Sequence, residues 1–277
     1  MAAGDHPIGV MLNLAAYLDR IGYSGSTEPS AETLRALHRA HMFAVPFENL
    51  DIHLGRPIVC DEDRFLHKII NERRGGFCYE LNGAFAAMLR ALGFQVTLLS
   101  ARVTRADGST DGPEFDHLTL RVDLPGSGAG LTSDVPWLAD VGFGDGFLEP
   151  LRLAPNLEQS QIGRVYRLTE RLADGEDRFG VEVRAKDEGK WKGEYSFTLQ
   201  ARQLSDFAGM CKYHQTSPES HFTGQRICSR ATPEGRITLS DLKLIESCDG
   251  RREERELGGE QQWRKALREV FGIDLPG

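Results

Sequence analysis

Cysteine is scarce in this chain, long apolar runs are missing and base is outnumbered by acid. Its 277 residues hold five cysteines, at positions 60, 78, 211, 228 and 248. That is too few and too scattered for a disulfide framework, so the chain reads as cytoplasmic with reduced thiols. No uncharged apolar stretch approaches the roughly 20 residues of a membrane-spanning helix, and no membrane partner is expected. Lys and Arg number 33 against 41 Asp and Glu, for a net charge of −8. A backbone-reading nucleic-acid binder needs the opposite sign. The first residues carry Asp5 and no basic segment ahead of an apolar one, so no secretory leader is expected. Repeats, low-complexity tracts and clear linkers are also lacking. What is left is a chain with 40% apolar residues, long enough for one large domain or two to three subdomains of a globular enzyme or binding protein.

One stretch organises the rest: Arg73-Arg74-Gly75-Gly76-Phe77-Cys78-Tyr79-Glu80-Leu81-Asn82. Two glycines predict a sharp turn, and Leu81, Phe85, Met88, Leu89 and Leu92 then recur at helical spacing. Glu80 suits the first turn, and Gly93 with Phe94 predicts a left-handed C-cap. Cys78 thus falls at a helix N-terminus, where the dipole favours thiolate. The bland alternative is a buried cysteine acting as a small hydrophobe.

Taken in order, residues 1–94 read as helical, with Ser30 as a cap, Leu34, Leu37 and His38 on one stripe, and a break at Pro46. After Gly93 the period becomes alternating. Val96–Leu99, Leu118–Val122 and Trp137–Val141 read as strands, as do segments from Arg164 to Leu199. Pro125–Asp134 reads as a long hairpin loop, with further turns at Asp174-Gly175 and Glu188-Gly189. Residues 201–277 mix both periods and end in a helix around Trp263, Leu267, Val270 and Phe271. The fold class is α+β.

A catalytic thiol needs a base, and the base an orienting group. His117, opposite Leu118 and Leu120 in an alternating strand, is the candidate base; the alternative is a satisfied strand histidine. Asp116, Asp123, Asp134 and Asp140 compete for the third place. Asp140 is preferred because it ends the apolar run Trp137-Leu138-Ala139, where an acid is costly to bury unpaired. Glu48 and Arg74 lie in two otherwise apolar or glycine-rich motifs and are predicted to pair. A second set, Cys211, His214, His221 and Cys228, has zinc-competent side chains at a spacing that matches no finger pattern, and no metal is expected.

Arg74-Gly75-Gly76-Phe77-Cys78, Val45-Pro46-Phe47-Glu48-Asn49-Leu50 and Asp140-Val141-Gly142-Phe143-Gly144 together resemble the arylamine N-acetyltransferases. So do Tyr213-His214-Gln215-Thr216-Ser217-Pro218 and Cys228-Ser229 with Thr232-Pro233-Glu234-Gly235. The resemblance implies a helical bundle over 1–94, a β-barrel over 95–200 and an α/β lid over 201–277, with a core related to papain-like cysteine proteases. It puts a Cys-His-Asp triad on Cys78, His117 and Asp140. Acetyl-coenzyme A would acylate the cysteine, and an arylamine or arylhydrazine nitrogen would take the acetyl group, the chemistry of xenobiotic metabolism. Phe47, Phe115 and Phe143 would line the acceptor pocket, and Gly144, Tyr213 and Ser217 would contact coenzyme A. Because coenzyme A and the chain are both anionic, Lys212, Arg226 and Arg230 are expected to supply local attraction. The Pro125–Asp134 stretch departs from many family members by lengthening the His117-to-Asp140 interval. An amide synthase of the same fold, a papain-like hydrolase and a non-catalytic binder are the competing readings.

Overall fold

The computed structural model describes residues 12–105, 111–125, 135–173, 175–186, 188–248 and 251–275. Asp134, most of the loop expected over 125–134 and Asp174 lie outside them. Helix α1 (Leu14–Arg20) is followed by α2 (Ala31–Ala44), which Ser30 caps by accepting the Thr33 N–H at 3.1 Å. Pro46 ends that helical run, and strand β1 (Phe47–Glu48) leads into α3 (Leu50–His53). Helix α4 (Glu62–Leu66) widens into a π-turn over His67–Asn71. Helix α5 (Cys78–Ala91) starts at the cysteine. Its end is a Schellman motif: Gly93 has φ +93° and donates to Arg90 O, and the buried Phe94 donates to Leu89 O.

Strands β2 (Gln95–Val103), β3 (His117–Asp123), β4 (Trp137–Ala139) and β5 (Leu151–Arg152) form one half of an eight-stranded sheet. Strands β6 (Gln159–Gln161), β7 (Arg164–Ala173), β8 (Glu176–Ala185) and β9 (Lys192–Arg202) form the other half, joined where β9 pairs with β2. Side chains nearly close the barrel between its edges. Gln159 bonds the backbone of Arg152 on β5 in both directions, at 2.7 and 3.1 Å, as a strand neighbour would. Beyond a 3₁₀ turn at Leu204–Phe207 come α6 (Ala208–Thr216) and α7 (His221–Gly224). Four strands, β10 (Ile227–Thr232), β11 (Gly235–Ser240), β12 (Lys243–Cys248) and β13 (Arg251–Glu256), then precede α8 (Glu260–Phe271). The edge strand β13, Arg-Arg-Glu-Glu-Arg-Glu, is exposed throughout, and its charge discourages pairing with another chain. No helix among the described residues is long and apolar enough to cross a membrane.

The segments interpenetrate. One hydrophobic cluster joins Leu34, Leu37 and Phe85 to Leu118, Leu120 and Trp137, so the N-terminal helices and one face of the barrel share a core. Strand β1 pairs antiparallel with β10, Phe47 opposite Ser229, and bridges in parallel to Gly76. It thereby stitches the turn before Cys78 to the C-terminal sheet.

Beneath that turn lies a buried charge cluster. Arg74 Nη2 donates to both oxygens of Glu48, at 2.8 and 2.9 Å, which is the pairing expected from sequence. The cluster extends beyond that pair. Arg74 also bonds Asp51, and Lys68 Nζ lies 2.8 Å from Asp51 and from Glu80. Three carboxyls face two cations. Burial, opposed by Lys68 but aided by Glu48, raises the Glu80 carboxyl to about 7, near half-protonation at neutral pH, which relieves the surplus. The two glycines permit the close approach of these layers: a β-carbon on Gly75 would fall 1.8 Å from Pro46 O, and one on Gly76 2.6 Å from Glu80 Oε2. The left-handed residue of the turn is Arg73, φ 51°.

Removing one member of such a cluster strands buried charge. Arg74→Met should destabilise the fold by roughly 3–5 kcal/mol in denaturant titrations. Arg252→Met, which breaks an exposed pair with Glu254, should cost under about 1 kcal/mol. Equal, small losses would show that the cluster does not hold the turn.

Candidate active site

Cys78 is 3% exposed at the first position of α5. Against it packs Gly142, where a β-carbon would come within 2.9 Å of Cys78 Cα and 2.7 Å of Asn82 Nδ2. A side chain at position 142 would therefore separate the cysteine from the segment that carries Asp140. Burial pushes the Cys78 thiol well up; backbone hydrogen bonds from Leu118 and Tyr79 favour the thiolate, while Asp116 and Asp140 oppose it. The expectation that the helix end alone favours thiolate is corrected accordingly. At a site this dry, desolvating an unpaired charge outweighs two amide hydrogen bonds.

His117 opens β3 and is 2% exposed. Its Nε2 lies 2.6 Å from Asp140 Oδ2. That bond assigns the proton to Nε2 and leaves Nδ1 for another partner. Two residues upstream, Phe115 adopts a left-handed φ of 64°, rare for a bulky residue. Hydrogen bonds on both sides hold it: Phe115 N donates to Ser100 Oγ at 2.8 Å, and Tyr79 OH donates to Phe115 O at 2.6 Å.

Asp140 follows β4, and four groups fix it. Asn82 Nδ2 donates to Oδ1 at 2.9 Å, and Gly142 N donates to the same oxygen at 3.0 Å. The Asp140 N–H donates to His38 Nε2 at 3.1 Å, and the Tyr195 hydroxyl bonds the carboxyl. Burial alone would raise this carboxyl; the His117 charge with the hydrogen bonds from His117, Asn82 and Tyr195 outweighs it and holds the group below its ordinary value. Asn82 also donates to Leu118 O at 2.6 Å and accepts Val141 N at 2.9 Å. One amide, a helical turn beyond Cys78, thus ties the nucleophile's helix to both strands of the pair.

The structure therefore ties the His117–Asp140 pair to the first turns of the Cys78 helix through Asn82 and Gly142. Of the competing acids, Asp116 pairs with His214 at 3.2 Å and Asp123 with Arg121 at 2.8 Å. Phe143 stands edge-on to His117 with centroids 5.3 Å apart, and Tyr195 closes the same ring cluster. Phe47 faces Gly144, whose φ is +87°, and Phe222 lies 6.1 Å beyond. The Phe115 ring stands edge-on to Phe207, with the Arg202 guanidinium over it.

Of the residues expected to meet coenzyme A, Gly144 lies against Phe47, and Tyr213 and Ser217 lie in and at the end of α6. Tyr213 is exposed on α6, its hydroxyl 3.5 Å from Glu219, and Ser217 caps that helix and accepts Glu219 N. From α6, His214 meets Tyr79 of α5 and lies near Phe222. Two of the cations expected to attract phosphate are already engaged: Arg226 with Glu260 and the Trp263 ring, Arg230 with Val270 O. Lys212 is exposed. Cys211 and Cys228 belong to different hydrophobic clusters, so the second set does not converge, and no metal-holding group was found among the described residues.

Sequence reasoning missed Asn82, His38 and Tyr195. Asn82 carried a signal, a lone amide four residues after the cysteine in an apolar helix. His38 did not, because in an apolar stripe it reads as core.

A thiol near an imidazole–carboxylate pair is the set of groups that thiol-based acyl transfer requires. The sequence pattern of the N-acetyltransferase family matches residues 30–277. The arylamine N-acetyltransferase of Mycolicibacterium smegmatis is 35% identical over 95% of this chain and 93% of its own. The crystal structure of the Nocardia farcinica arylamine N-acetyltransferase superposes with TM-score 0.85 at 36% identity, covering 99% and 95% of the two chains. That of the Mycobacterium marinum enzyme in complex with CoA superposes with TM-score 0.82 at 32% identity, covering 94% and 93%. The chain belongs to the arylamine N-acetyltransferase family and is an acyltransferase.

His38 supplies a pH signature. It is fully buried, donates from Nδ1 to Leu148 O at 2.8 Å and accepts on Nε2, so it must be neutral. Burial lowers it to about 4 from an ordinary 6.5. Between those values the folded state binds fewer protons than the unfolded one. Its stabilisation is complete above pH 6.5 and is lost as pH falls towards 4, to the extent of roughly 3 kcal/mol. Denaturant titrations at pH 7 and pH 4 should show this loss, and His38→Gln should reduce it. An unchanged difference in the variant would contradict the assignment.

Proposed function

We propose that the protein transfers an acetyl group from acetyl-coenzyme A, through a thioester on Cys78, to the nitrogen of an arylamine or arylhydrazine. The observation that carries this reading is the 2.6 Å His117–Asp140 bond, two residues ahead of the glycine that meets Cys78. The helical segment gives the nucleophile, the barrel gives base and acid, and the C-terminal lid gives the far wall.

In the first half-reaction His117 Nδ1 takes the Cys78 proton. Thiolate and imidazolium form together, which lowers the cost of ionising a buried thiol. The thiolate attacks the thioester carbonyl, and coenzyme A leaves as a thiol after His117 returns the proton. In the second half-reaction the amine occupies the vacated space and attacks the Cys78 thioester. Aromatic amines are largely unprotonated at neutral pH, so His117 need only accept the proton released as the C–N bond forms. Expulsion of the Cys78 thiolate then regenerates the ion pair. Asp140 holds the ring in the required tautomer and stabilises the imidazolium. Phe47 and Phe143 fit a flat acceptor, with Phe143 against the base. Gly144, Tyr213 of α6 and its C-cap Ser217 are assigned to coenzyme A, with Tyr213 and Ser217 at its outer reach.

Acetyl-coenzyme A consumption that depends on an added arylamine tests the activity; consumption without amine, or only with a tethered intramolecular acceptor, would favour hydrolysis or amide synthesis. Asp140→Asn should fold yet lose on the order of 10³–10⁴ in kcat, with Cys78 alkylation moved to higher pH. Phe143→Ala should raise the KM for the amine while leaving enzyme acetylation largely intact. Equal losses in both half-reactions would remove Phe143 from the acceptor pocket.

A further inference from the structure

Two cysteines that the chemistry above does not use face one another. Cys60, half-buried, lies on the segment leading into α4, and Cys211, 1% exposed, lies in α6. Their thiols are in hydrogen-bonding contact. The two backbones are fastened at the same place. Gln215 Nε2 donates to Ile58 O at 2.9 Å while its Oε1 accepts Ile58 N at 2.7 Å. Cys211 Sγ sits 3.7 Å from Ile58 O and 3.2 Å from Gln215 Nε2. This register sets the Cys211 sulfur against the backbone two residues before Cys60, so a bond between the two sulfurs needs little backbone movement.

The two thiols are not equivalent. The hydrogen bond from Cys211 is the largest influence on Cys60 and holds its thiol below the ordinary value, against burial; the same contact, then burial, pushes Cys211 up. The more accessible sulfur is therefore the one inclined to ionise, and the buried one stands behind it as a proton donor. A low-pKa, accessible cysteine next to a resolving thiol is the arrangement that peroxides oxidise selectively.

We propose that Cys60 and Cys211 form a peroxide-sensitive dithiol that closes to a disulfide and pins α6 to the segment before α4. The Cys60 thiolate attacks one oxygen of a hydroperoxide, the O–O bond breaks, and hydroxide leaves to take up the proton lost by the thiol. Cys60 becomes a sulfenic acid. Cys211 sulfur then attacks Cys60 sulfur and a second water departs with the Cys211 proton. Two thiols and one hydrogen peroxide thus give one disulfide and two waters. Because α6 carries His214 against Asp116 and Tyr79, the bridge fixes one wall of the catalytic site. In a reducing compartment it would be transient.

The test uses the full chain with Cys78→Ala, so that the catalytic thiol does not compete. After stoichiometric hydrogen peroxide, free thiols are alkylated and the protein is digested without reductant. The expected result is a Cys60 peptide joined to a Cys211 peptide, an intact mass lower by two hydrogens, reversal by dithiothreitol and an unfolding midpoint several degrees higher. With Cys211→Ser added, dimedone should trap Cys60 as a sulfenic acid and no link should form. Should that variant fail to fold, the map of the Cys78→Ala protein decides alone. Both cysteines alkylated after peroxide, Cys60 driven to sulfinic acid without a link, or Cys60 joined instead to Cys228 or Cys248 would each overturn the proposal.

Discussion

Helix α5 is buried on every side from Cys78 to Leu89, and this burial constrains the rest of the site. A polar side chain on such a helix must find partners, because an unmet one costs a few kcal/mol. Glu80 meets its demand with Lys68 and the Phe77 N–H, which draws in Asp51, Glu48 and Arg74. Asn82 meets its demand with Leu118 O, Asp140 and Val141 N. The first set fixes the turn before the cysteine. The second fixes the strands that bring His117 and Asp140. Cys78 is thus located by the satisfaction of two neighbours on its own helix.

The same burial shapes the chemistry. A solitary thiolate at Cys78 is disfavoured, and Asp140 adds a further negative charge nearby. In the proposed mechanism an imidazolium forms beside it, which places weight on the orientation of His117. That orientation rests on Asp140, and Asp140 rests on three further side chains, Asn82, His38 and Tyr195, drawn from α5, α2 and β9. An arylamine needs little proton transfer help, so a geometrically exact pair suits the task better than a strong base.

Much of this was legible in the chain because local rules carry it. The Ser30 cap, the break at Pro46, the Gly93 stop and the change to alternation at Val96 each follow from the physics of one or two residues. Cys78 at a helix start and the Glu48–Arg74 pair were legible for a similar reason, as charged or reactive groups in apolar or glycine-rich motifs. Tertiary partners were not. Asp51, Lys68 and Glu80 join the ion pair only when four segments meet, and nothing in their spacing says so. Asp116 and Asp140 are both acids beside strands; they are told apart by His214, which lies on a distant helix. Arg226 and Arg230 read as free cations until the C-terminal helix claims them. The glycines before Cys78 were read as a turn, whereas they serve close approach and Arg73 takes the left-handed conformation.

The account turns on Cys78 acting through a covalent acetyl intermediate that needs no acceptor to form. Intact mass spectrometry after mixing the protein with acetyl-coenzyme A alone examines this step directly. A gain of one acetyl group, mapped to Cys78 and absent from Cys78→Ala, is the expected result. No gain, or an acetyl mapped to Cys60, Cys211, Cys228 or Cys248, would contradict it.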